Sequence, residues 1–333
     1  MIITKSPFRI AFAGGGTDIK QFSDIHGGEV INATINLGCY TFINDNSEII
    51  FNSQDLGISE KFQKNEKILK LHHATYLKMM KRFNNDDLEK ISLTTYSEVP
   101  PGSGVGASSS MVVSMVCCLA KYLGKDLNPY EIAELAYEIE RVDCNLSGGK
   151  QDQYSASFGG FNHIEFQKNN NVSVTPIKIE ERNLINLQSN ILIFYTGQSR
   201  SSEEIIDKQK ESIISKKDSA LESLLSIKKL VKPMKKALIS CDLDQINKIF
   251  NESWRHKKLT SDLISNNNIN SLIEGLLSEG AKSAKISGAG GGGFMVIITE
   301  PQNRQRINSF LSKKVGMVYN INFTDKGAYS WQI

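Results

Sequence analysis

The pattern of apolar and polar residues predicts a strand followed by a long buried helix around residue 100. The less polar side chains occupy alternate positions from Ile91 to Val99, as in a strand with one buried face. Residues Met111 to Leu123 are apolar almost all round and are followed by Gly124, which indicates a buried helix that ends at a glycine. The segment that joins the two elements lies at the start of that helix, where backbone N–H groups are free.

This joining segment has the composition of a phosphate-binding loop. It reads Pro100-Pro101-Gly102-Ser103-Gly104-Val105-Gly106-Ala107-Ser108-Ser109-Ser110. Glycines let the backbone approach a ligand closely, and the N–H groups and dipole of a helix start favour an anion. We expect the hydroxyl of Ser108 to meet a metal ion or a phosphate oxygen. The alternative from these residues alone is a glycine turn that leads into a capped core helix.

The same segment also fits a dinucleotide-binding pattern. Residues Gly102 to Ala107 match Gly-x-Gly-x-x-Gly/Ala, and Asp126 lies about twenty positions further on. A dinucleotide-binding unit should continue with alternating strands and helices, whereas two helices follow in succession here. The pattern Gly-x4-Gly-Lys-Ser/Thr does not occur in the sequence. These points favour a third kind of phosphate site and leave an oxidoreductase as the minor alternative.

Two further glycine-rich segments lie near the ends of the chain. A short apolar strand that contains Arg9 leads into Gly14-Gly15-Gly16 and then Thr17-Asp18. Far along the chain, Gly288 to Gly293 lead directly into the apolar run Phe294 to Ile298, which predicts a buried strand. Backbone without side chains suits close contact with a ligand or with other backbone. We therefore expect the second segment to lie against the phosphate-binding loop.

Two more carboxylates are candidates for chemistry. A helix capped by Asn128 places Glu140 at the edge of its apolar stripe, where a carboxylate is costly unless it is paired or binds a metal. The alternative is a boundary glutamate that reaches solvent. Asp152 lies in a glycine-flanked segment that could present it to a pocket, or it could cap a helix that begins near Gln153.

Later in the chain, helices are predicted from about residue 203 to residue 264. One of them carries Trp254, Lys257 and Lys258, which we interpret as a packed tryptophan with two solvated lysines.

Composition excludes several classes of protein. The 333 residues are enough for two domains, and 39 basic against 36 acidic residues give a net charge of only +3, with no basic cluster to bind nucleic acid. The five cysteines form no C-x-x-C pair, which is typical of reduced packing residues. No apolar run suggests a signal peptide or a membrane span, so we expect a cytoplasmic protein that binds neither membrane nor nucleic acid, with its oligomeric state open.

Three separated motifs together resemble the GHMP family of small-molecule kinases, which includes galactokinase, homoserine kinase and mevalonate kinase. They are Pro7-Phe8-Arg9 through Asp18, Pro100 through Ser110, and Lys285 through Gly293, and in order and spacing they cover essentially the whole chain. The resemblance implies an α+β fold of two domains. Residues 1–187 would form a domain like ribosomal protein S5 domain 2, and residues 188–333 a ferredoxin-like domain.

The resemblance also implies ATP and Mg²⁺ as cofactors and a role for each motif. Ser108 and Glu140 would hold Mg²⁺. Asp152 would be the catalytic carboxylate, with Arg9 beside it to favour its charged form and to stabilise the transferred group. Asp18 would hydrogen-bond sugar hydroxyls. The ATP phosphates would lie on Pro101, Gly102, Ser103, Gly104, Val105, Gly106, Ala107, Ser108 and Ser109. The remaining substrate-binding residues would be Gly15, Gly16, Thr17, Gly149, Lys150, Arg200, Gly288 and Gly290.

Within the family, the run Gly14 to Asp18 departs from the Gly-Glu-His-Thr-Asp of galactokinases, which argues against galactose. The first motif and Gly149-Lys150-Gln151-Asp152-Gln153 are similar to the branch that phosphorylates O1 of D-glycero-D-manno-heptose 7-phosphate for nucleotide-activated heptose. Fucokinases share the first motif but are expected to carry Trp in place of Lys150. Lys150 and Arg200 suit a sugar that already bears a phosphate. The alternatives are an L-fucokinase or another sugar 1-kinase, and a non-catalytic sugar or nucleotide sensor.

Overall fold

The computed structural model describes residues 1–63, 67–84, 86–198, 202–214 and 218–333, and it divides their strands between two sheets. The larger sheet contains β1 (Ile2–Ala13), β2 (Gly28–Asp45), β3 (Ile50–Ser53), β4 (Ile58–Lys61), β5 (Ile91–Ser97), β6 (Phe161–Phe166), β7 (Val172–Pro176) and β12 (Tyr329–Gln332). The smaller sheet contains β8 (Ile191–Tyr195), β9 (Ala281–Ile286), β10 (Phe294–Thr299) and β11 (Met317–Tyr319).

Helices are packed on both sheets. They are α1 (Lys20–His26), α2 (Lys70–Phe83), α3 (Ala107–Tyr122), α4 (Pro129–Tyr137), α5 (Gln151–Phe158), α6 (Glu181–Ser189), α7 (Ser202–Ile214), α8 (Asp218–Lys229), α9 (Val231–Ser240), α10 (Leu243–Lys258), α11 (Asn267–Ser278) and α12 (Arg304–Leu311). A π-helical turn, Glu138–Asp143, continues α4, and a 3₁₀ turn, Pro301–Asn303, precedes α12. This arrangement is the predicted α+β class.

The long strand β2 organises the larger sheet. Its first half pairs with β6 and its second half with β5, while β1 runs antiparallel along both halves. In β5 the alternation seen in the sequence is real, since its odd-numbered residues from Ile91 to Ser97 are buried against α2 and α3. The core between sheet and helices thus holds β1, which carries Arg9, and α3, which follows the glycine loop, in a fixed relation.

The smaller sheet has the order β11-β8-β10-β9 and is antiparallel throughout. The buried run Phe294–Thr299 forms its strand β10, as the sequence predicts, because apolar side chains cover both faces of this central strand. Within the described residues, none of the helices combines the length and the apolar character needed to cross a membrane.

The predicted division at residue 187/188 does not hold for the last strand. Strand β12 returns to the larger sheet and pairs with β1, with Ile3 opposite Trp331 and Lys5 opposite Tyr329. This segment alternates apolar and polar residues, as a strand does, but such a local pattern does not indicate which strand it pairs with. The pairing covers an edge of β1. Residues 329–332 therefore belong to the N-terminal domain's sheet.

Candidate active site

The phosphate-binding loop and the C-terminal glycine segment pack backbone against backbone, as predicted. A Cβ atom on Gly288 would lie 2.4 Å from the carbonyl oxygen of Gly104, and one on Gly104 would lie 2.8 Å from the carbonyl oxygen of Ser287. The amide of Phe294 donates a hydrogen bond to the carbonyl of Ser103 at 2.8 Å. Gly104 and Gly288 both have positive φ values, of 77° and 73°. Only glycine satisfies both the conformation and the close approach.

The start of α3 offers an anion site. Its N-cap is Gly106, with φ of 77°, and neither a capping side chain nor an acidic residue of the first turn occupies the helix start. The N–H groups there, with the positive end of the helix dipole, are available to a phosphate. The helix begins at Ala107, earlier than the predicted Met111, so Ser108 and Ser109 lie in its first turn. The apolar pattern could not reveal this, because the first turn faces the cleft.

Arg9 and Asp152 form the centre of the cleft. Both Nε and Nη2 of Arg9 lie 2.7 Å from Oδ1 of Asp152, and Nη1 donates to the carbonyl of Gly104 at 2.9 Å and to Oγ of Ser287 at 3.3 Å. Arg9 thus links β1, the phosphate-binding loop and the C-terminal glycine segment. Oδ2 of Asp152 makes no hydrogen bond with a described residue, so this oxygen can accept one from a substrate hydroxyl.

Asp152 does not lie in a loop. Helix α5 begins at Gln151, so Asp152 is in its first turn, where the helix dipole favours a carboxylate. Its carboxyl carbon lies 3.1 Å from the position that a Cβ would take on Gly106. The carboxylate is therefore adjacent to the start of α3. An acceptor hydroxyl bound to Asp152 would lie close to a phosphate bound at that helix start.

Glu140 is fully buried, which excludes the alternative of a glutamate that reaches solvent. The π-helical turn directs it to the start of α3, where Oε1 accepts a hydrogen bond from Oγ of Ser108 at 2.8 Å. Nε2 of Gln153 donates to Oε2 of Glu140, and Nη2 of Arg141 lies 3.7 Å from the same oxygen. No carboxylate–cation contact shorter than that compensates for the buried charge within the described residues.

The oxygen atoms around Glu140 fit Mg²⁺. Ser108 and Glu140 supply a hydroxyl and a carboxylate, which are ligands that this hard cation prefers. Gln153, which donates to Glu140, has a buried oxygen, Oε1, with no hydrogen-bond partner among the described residues, although buried polar atoms are normally paired. A hydrated cation beside Glu140 would satisfy this oxygen, which can only accept a hydrogen bond or bind a cation. The residues present therefore fit the predicted ion.

Asp18 closes the other part of the cleft. Its carboxylate accepts hydrogen bonds from the amide of Gly16 at 3.3 Å, and from the amide and side chain of Gln151 at 3.2 Å each. Burial, reinforced by the negative charge of Asp152, raises the pKa of Asp18. The triple-glycine turn thus places the carboxylate of Asp18 close enough to Asp152 for the two charges to interact.

Lys257 is the functional candidate that sequence reasoning missed. It lies in the last turn of α10, is half-buried and lines the cleft, so the prediction of a solvated lysine was wrong. Burial lowers the pKa of Lys257 to about 8, although the charges of Asp18 and Asp152 oppose that effect. No motif surrounds it in the sequence. Its position depends on how α10 packs against β9, which a local pattern does not encode.

Lys285 is a second buried lysine behind the cleft. Its ammonium donates to the carbonyl of Phe12 at 3.0 Å and lies 4.0 Å from the ring centre of Phe250. Burial, with the charges of Lys257 and Arg9, lowers the pKa of Lys285 to about 7. The positive charges of Lys285, Lys257 and Arg9 are therefore close enough to repel one another.

The structure brings most of the predicted residues to one cleft, which is partly open to solvent. Predicted residues that line it are Arg9, Gly16, Asp18, Gly102, Ser103, Gly104, Gly106, Ala107, Ser108, Ser109, Glu140, Gly149, Asp152 and Gly288. Gln151 and Arg141 also line it and were not predicted.

Other predicted residues do not line the cleft. Lys150 donates to Asn170 and lies over the ring of Tyr137, because its chain turns away at the start of α5. The hydroxyl of Thr17 donates to the backbone of Gly14 and Glu29 and so stabilises the turn. Gly290 packs on Ile264. Pro101, Val105 and Gly15 lie beside lining residues, and Arg200 is outside the described residues.

Comparison with known proteins accounts for this constellation. Residues 70–160 match the model of the GHMP kinases N terminal domain, and residues 234–316 match that of the GHMP kinases C terminal domain. The chain is 38% identical to D-glycero-alpha-D-manno-heptose 7-phosphate kinase of Campylobacter jejuni, over 100% of this chain and 99% of that protein. The chain belongs to the GHMP kinase family. The predictions of the family, of its two-domain α+β fold and of a kinase are thereby confirmed.

Two further relatives of this GHMP kinase are informative. A solved structure described as a D-glycero-D-manno-heptose 1-phosphate kinase of Bacteroides thetaiotaomicron superposes with a TM-score of 0.85 at 31% identity, covering 100% of this chain and 99% of that one. The bifunctional fucokinase/GDP-fucose pyrophosphorylase of Arabidopsis thaliana is 25% identical over 90% of this chain and 30% of that protein. The heptose phosphate kinases are thus similar over their whole length, whereas the plant protein contains much additional chain.

Proposed function

We propose that this GHMP kinase transfers the γ-phosphoryl group of ATP to O1 of D-glycero-D-manno-heptose 7-phosphate and gives heptose 1,7-bisphosphate for the synthesis of nucleotide-activated heptose. The observation that carries the proposal is the 38% identity, over the whole chain, with a heptose 7-phosphate kinase. The cleft supports it independently, because it contains an anion site, a pair of oxygen ligands for Mg²⁺ and a carboxylate with a free oxygen.

The nucleotide phosphates would bind at the start of α3. Backbone N–H groups from Gly106 to Ser109 would donate to their oxygens, and the glycines of the loop leave space for them. Ser108 and Glu140 would hold Mg²⁺, which neutralises charge on the phosphate oxygens as the γ-phosphoryl group leaves. The C-terminal glycine segment would hold the loop in place from behind.

Asp152 would act on the acceptor hydroxyl. Arg9 binds Oδ1 and leaves Oδ2 free, so the hydroxyl of the sugar can donate its hydrogen bond to a fixed oxygen next to the phosphate site. As the new O–P bond forms, Asp152 would accept or orient the leaving proton. Arg9 has most of its donors engaged with Asp152, Gly104 and Ser287, so its main role would be to position the carboxylate.

Asp18 would bind hydroxyls of the sugar. Its Oδ1 accepts from the amide of Gly16 and the side chain of Gln151, whereas Oδ2 accepts only from the amide of Gln151, so Oδ2 keeps a lone pair for a sugar hydroxyl. The raised pKa of Asp18 follows from burial next to Asp152, and sugar hydroxyls that donate to the carboxylate would favour its charged form.

The second candidate is an L-fucokinase, which the similarity to the plant enzyme favours. Lys150 was the residue expected to separate the two, but its ammonium points to Asn170 and not to the cleft. A non-catalytic sensor is the weaker alternative, since the complete set of Arg9, Ser108, Glu140 and Asp152 has no use in binding alone.

A coupled assay of ADP release tests the proposal. The full chain is given ATP, Mg²⁺ and, in turn, heptose 7-phosphate, unphosphorylated heptose, L-fucose and galactose. We expect the highest kcat/KM with heptose 7-phosphate, and ³¹P NMR of the product should show a new phosphate on C1. Turnover of fucose without turnover of heptose 7-phosphate would move the assignment to fucokinase. Nucleotide binding without turnover of any acceptor would favour the sensor.

A further inference from the structure

The cleft contains one cation that the protein itself leaves without a partner. Among the described residues, the cations lining the cleft are Arg9, Arg141 and Lys257. Arg9 donates to Asp152, Gly104 and Ser287. Arg141 lies against the loop of Gly148, donates to the carbonyl of Gly149 at 3.4 Å and faces Glu140. By contrast, the ammonium of Lys257 makes no hydrogen bond, and no ion pair within 4.0 Å, with any part of the chain that the structure describes.

The position of Lys257 assigns it to the acceptor end of the cleft. Its Nζ lies 3.7 Å and 3.9 Å from the points that Cβ atoms would occupy on Gly16 and Gly15. Of the carboxylates, Asp18 acts on its charge more than Asp152 does. The phosphate site at Gly106 is instead adjacent to Asp152. Lys257 is therefore beside the turn that would bind the sugar.

An unpaired ammonium in this place suits an anionic group on the acceptor. Two carboxylates, Asp18 and Asp152, would repel a phosphate brought into the same cleft, and the ammonium offsets that repulsion. Lysine binds phosphate as a compact charge with three donors. Lys150, the expected partner for such a phosphate, is occupied by Asn170. Lys257 is thus the described residue that is free to fill this role.

We propose that Lys257 binds the phosphate that the acceptor sugar already carries, and thereby determines the preference for a phosphorylated sugar over its unphosphorylated counterpart. The inference rests on the proposed function, because it requires a sugar phosphate as acceptor. It assigns the specificity to helix α10 of the C-terminal half, whereas the conventional sequence motifs all lie elsewhere.

The test compares Lys257→Met with the parent enzyme, using heptose 7-phosphate and unphosphorylated heptose as acceptors. A charged hydrogen bond contributes about 1.5–3 kcal/mol, so we expect kcat/KM for heptose 7-phosphate to fall about 10- to 150-fold. The loss should appear in the KM for this acceptor, with kcat and the KM for ATP within threefold of the parent. Lys257→Arg should recover most of the affinity. Lys258→Met, at the exposed neighbouring position, is the matched control and should behave as the parent.

Each other result overturns the assignment. A loss confined to kcat, or an equal loss with both acceptors, would place Lys257 on the transferred phosphoryl group. Unchanged kinetics of Lys257→Met would mean that it binds no anion of the substrate. If the parent enzyme does not turn over heptose 7-phosphate, the proposed function itself fails, and that result is seen before any variant is compared.

Discussion

Replacing Gly288 by alanine tests the contact between the two glycine segments. The new Cβ would lie 2.4 Å from the carbonyl oxygen of Gly104 and 3.0 Å from its Cα, so the two backbones must separate. The same carbonyl accepts a hydrogen bond from Arg9, which in turn holds Asp152. We therefore expect the substitution to disturb stability, nucleotide binding and catalysis together.

The expected loss of unfolding free energy in Gly288→Ala has two parts. An alanine at φ of 73° costs about 1–2 kcal/mol, because L-residues avoid the left-handed region. The overlap with Gly104 adds about 1–3 kcal/mol, the usual cost of overpacking. Gly124→Ala is the matched control, since Gly124 has φ of 65° and nothing within 4 Å of its Cβ position. Gly124→Ala therefore has the cost of the left-handed conformation without the cost of overlap.

Urea unfolding and steady-state kinetics measure these effects. Gly288→Ala should lose about 2–5 kcal/mol of unfolding free energy, against about 1–2 kcal/mol for Gly124→Ala. The KM for ATP should rise at least about tenfold in the first variant, which corresponds to about 1.4 kcal/mol, and stay unchanged in the second. Equal midpoints and equal kinetics for the two variants would refute the claim that the glycine segments hold each other in place.

Three further predictions concern charged groups. Glu140→Gln should raise the Mg²⁺ concentration needed for half-maximal activity at least about tenfold with little change in fold, because the amide keeps the shape but not the charge; an unchanged Mg²⁺ requirement would contradict the ligand assignment. Burial lowers the pKa of Lys257 to about 8, and an amine is charged only below its pKa. We therefore expect kcat/KM for heptose 7-phosphate to fall as the pH rises through about 8. The same fall in the Lys257→Arg variant would contradict this prediction, because arginine stays charged. The pKa of Lys285 is lowered to about 7 in the folded state only, so its charge destabilises the fold most at low pH and less as the pH rises. In urea titrations, Lys285→Met should therefore have a higher free energy of unfolding than the parent at pH 7, and this difference should shrink towards pH 10. A difference that does not depend on pH would refute the reasoning.

The sequence predicted those parts of the site that local rules determine. Glycines at Gly104 and Gly288 are readable because close approach and positive φ admit few other residues, and Asn128 marks a helix start because its side chain caps two amides. The sequence placed Glu140 at the edge of an apolar stripe but did not decide between a buried and a solvent-exposed carboxylate. Its final direction depends on a π-helical turn, which apolar periodicity does not reveal.

Other parts depend on tertiary packing and could not be predicted. Lys257 resembles its exposed neighbour Lys258 in sequence, and only the seating of α10 against β9 brings one of them to the cleft. Lys150 shows the converse, because a cation next to the motif residue Asp152 is turned away by the start of α5. Strand β12 likewise joins the larger sheet through a partner more than three hundred residues away.

Asp152→Asn provides the most direct test of catalysis at this cleft. Asparagine keeps the shape and an oxygen that can accept from Arg9, so nucleotide binding measured by calorimetry should stay within threefold of the parent. Single-turnover phosphorylation of heptose 7-phosphate should slow about 10²- to 10⁴-fold, since the group that receives the acceptor's hydrogen bond has lost its charge. A rate within a few-fold of the parent would contradict the account, because the carboxylate held by Arg9 would then have no part in the reaction.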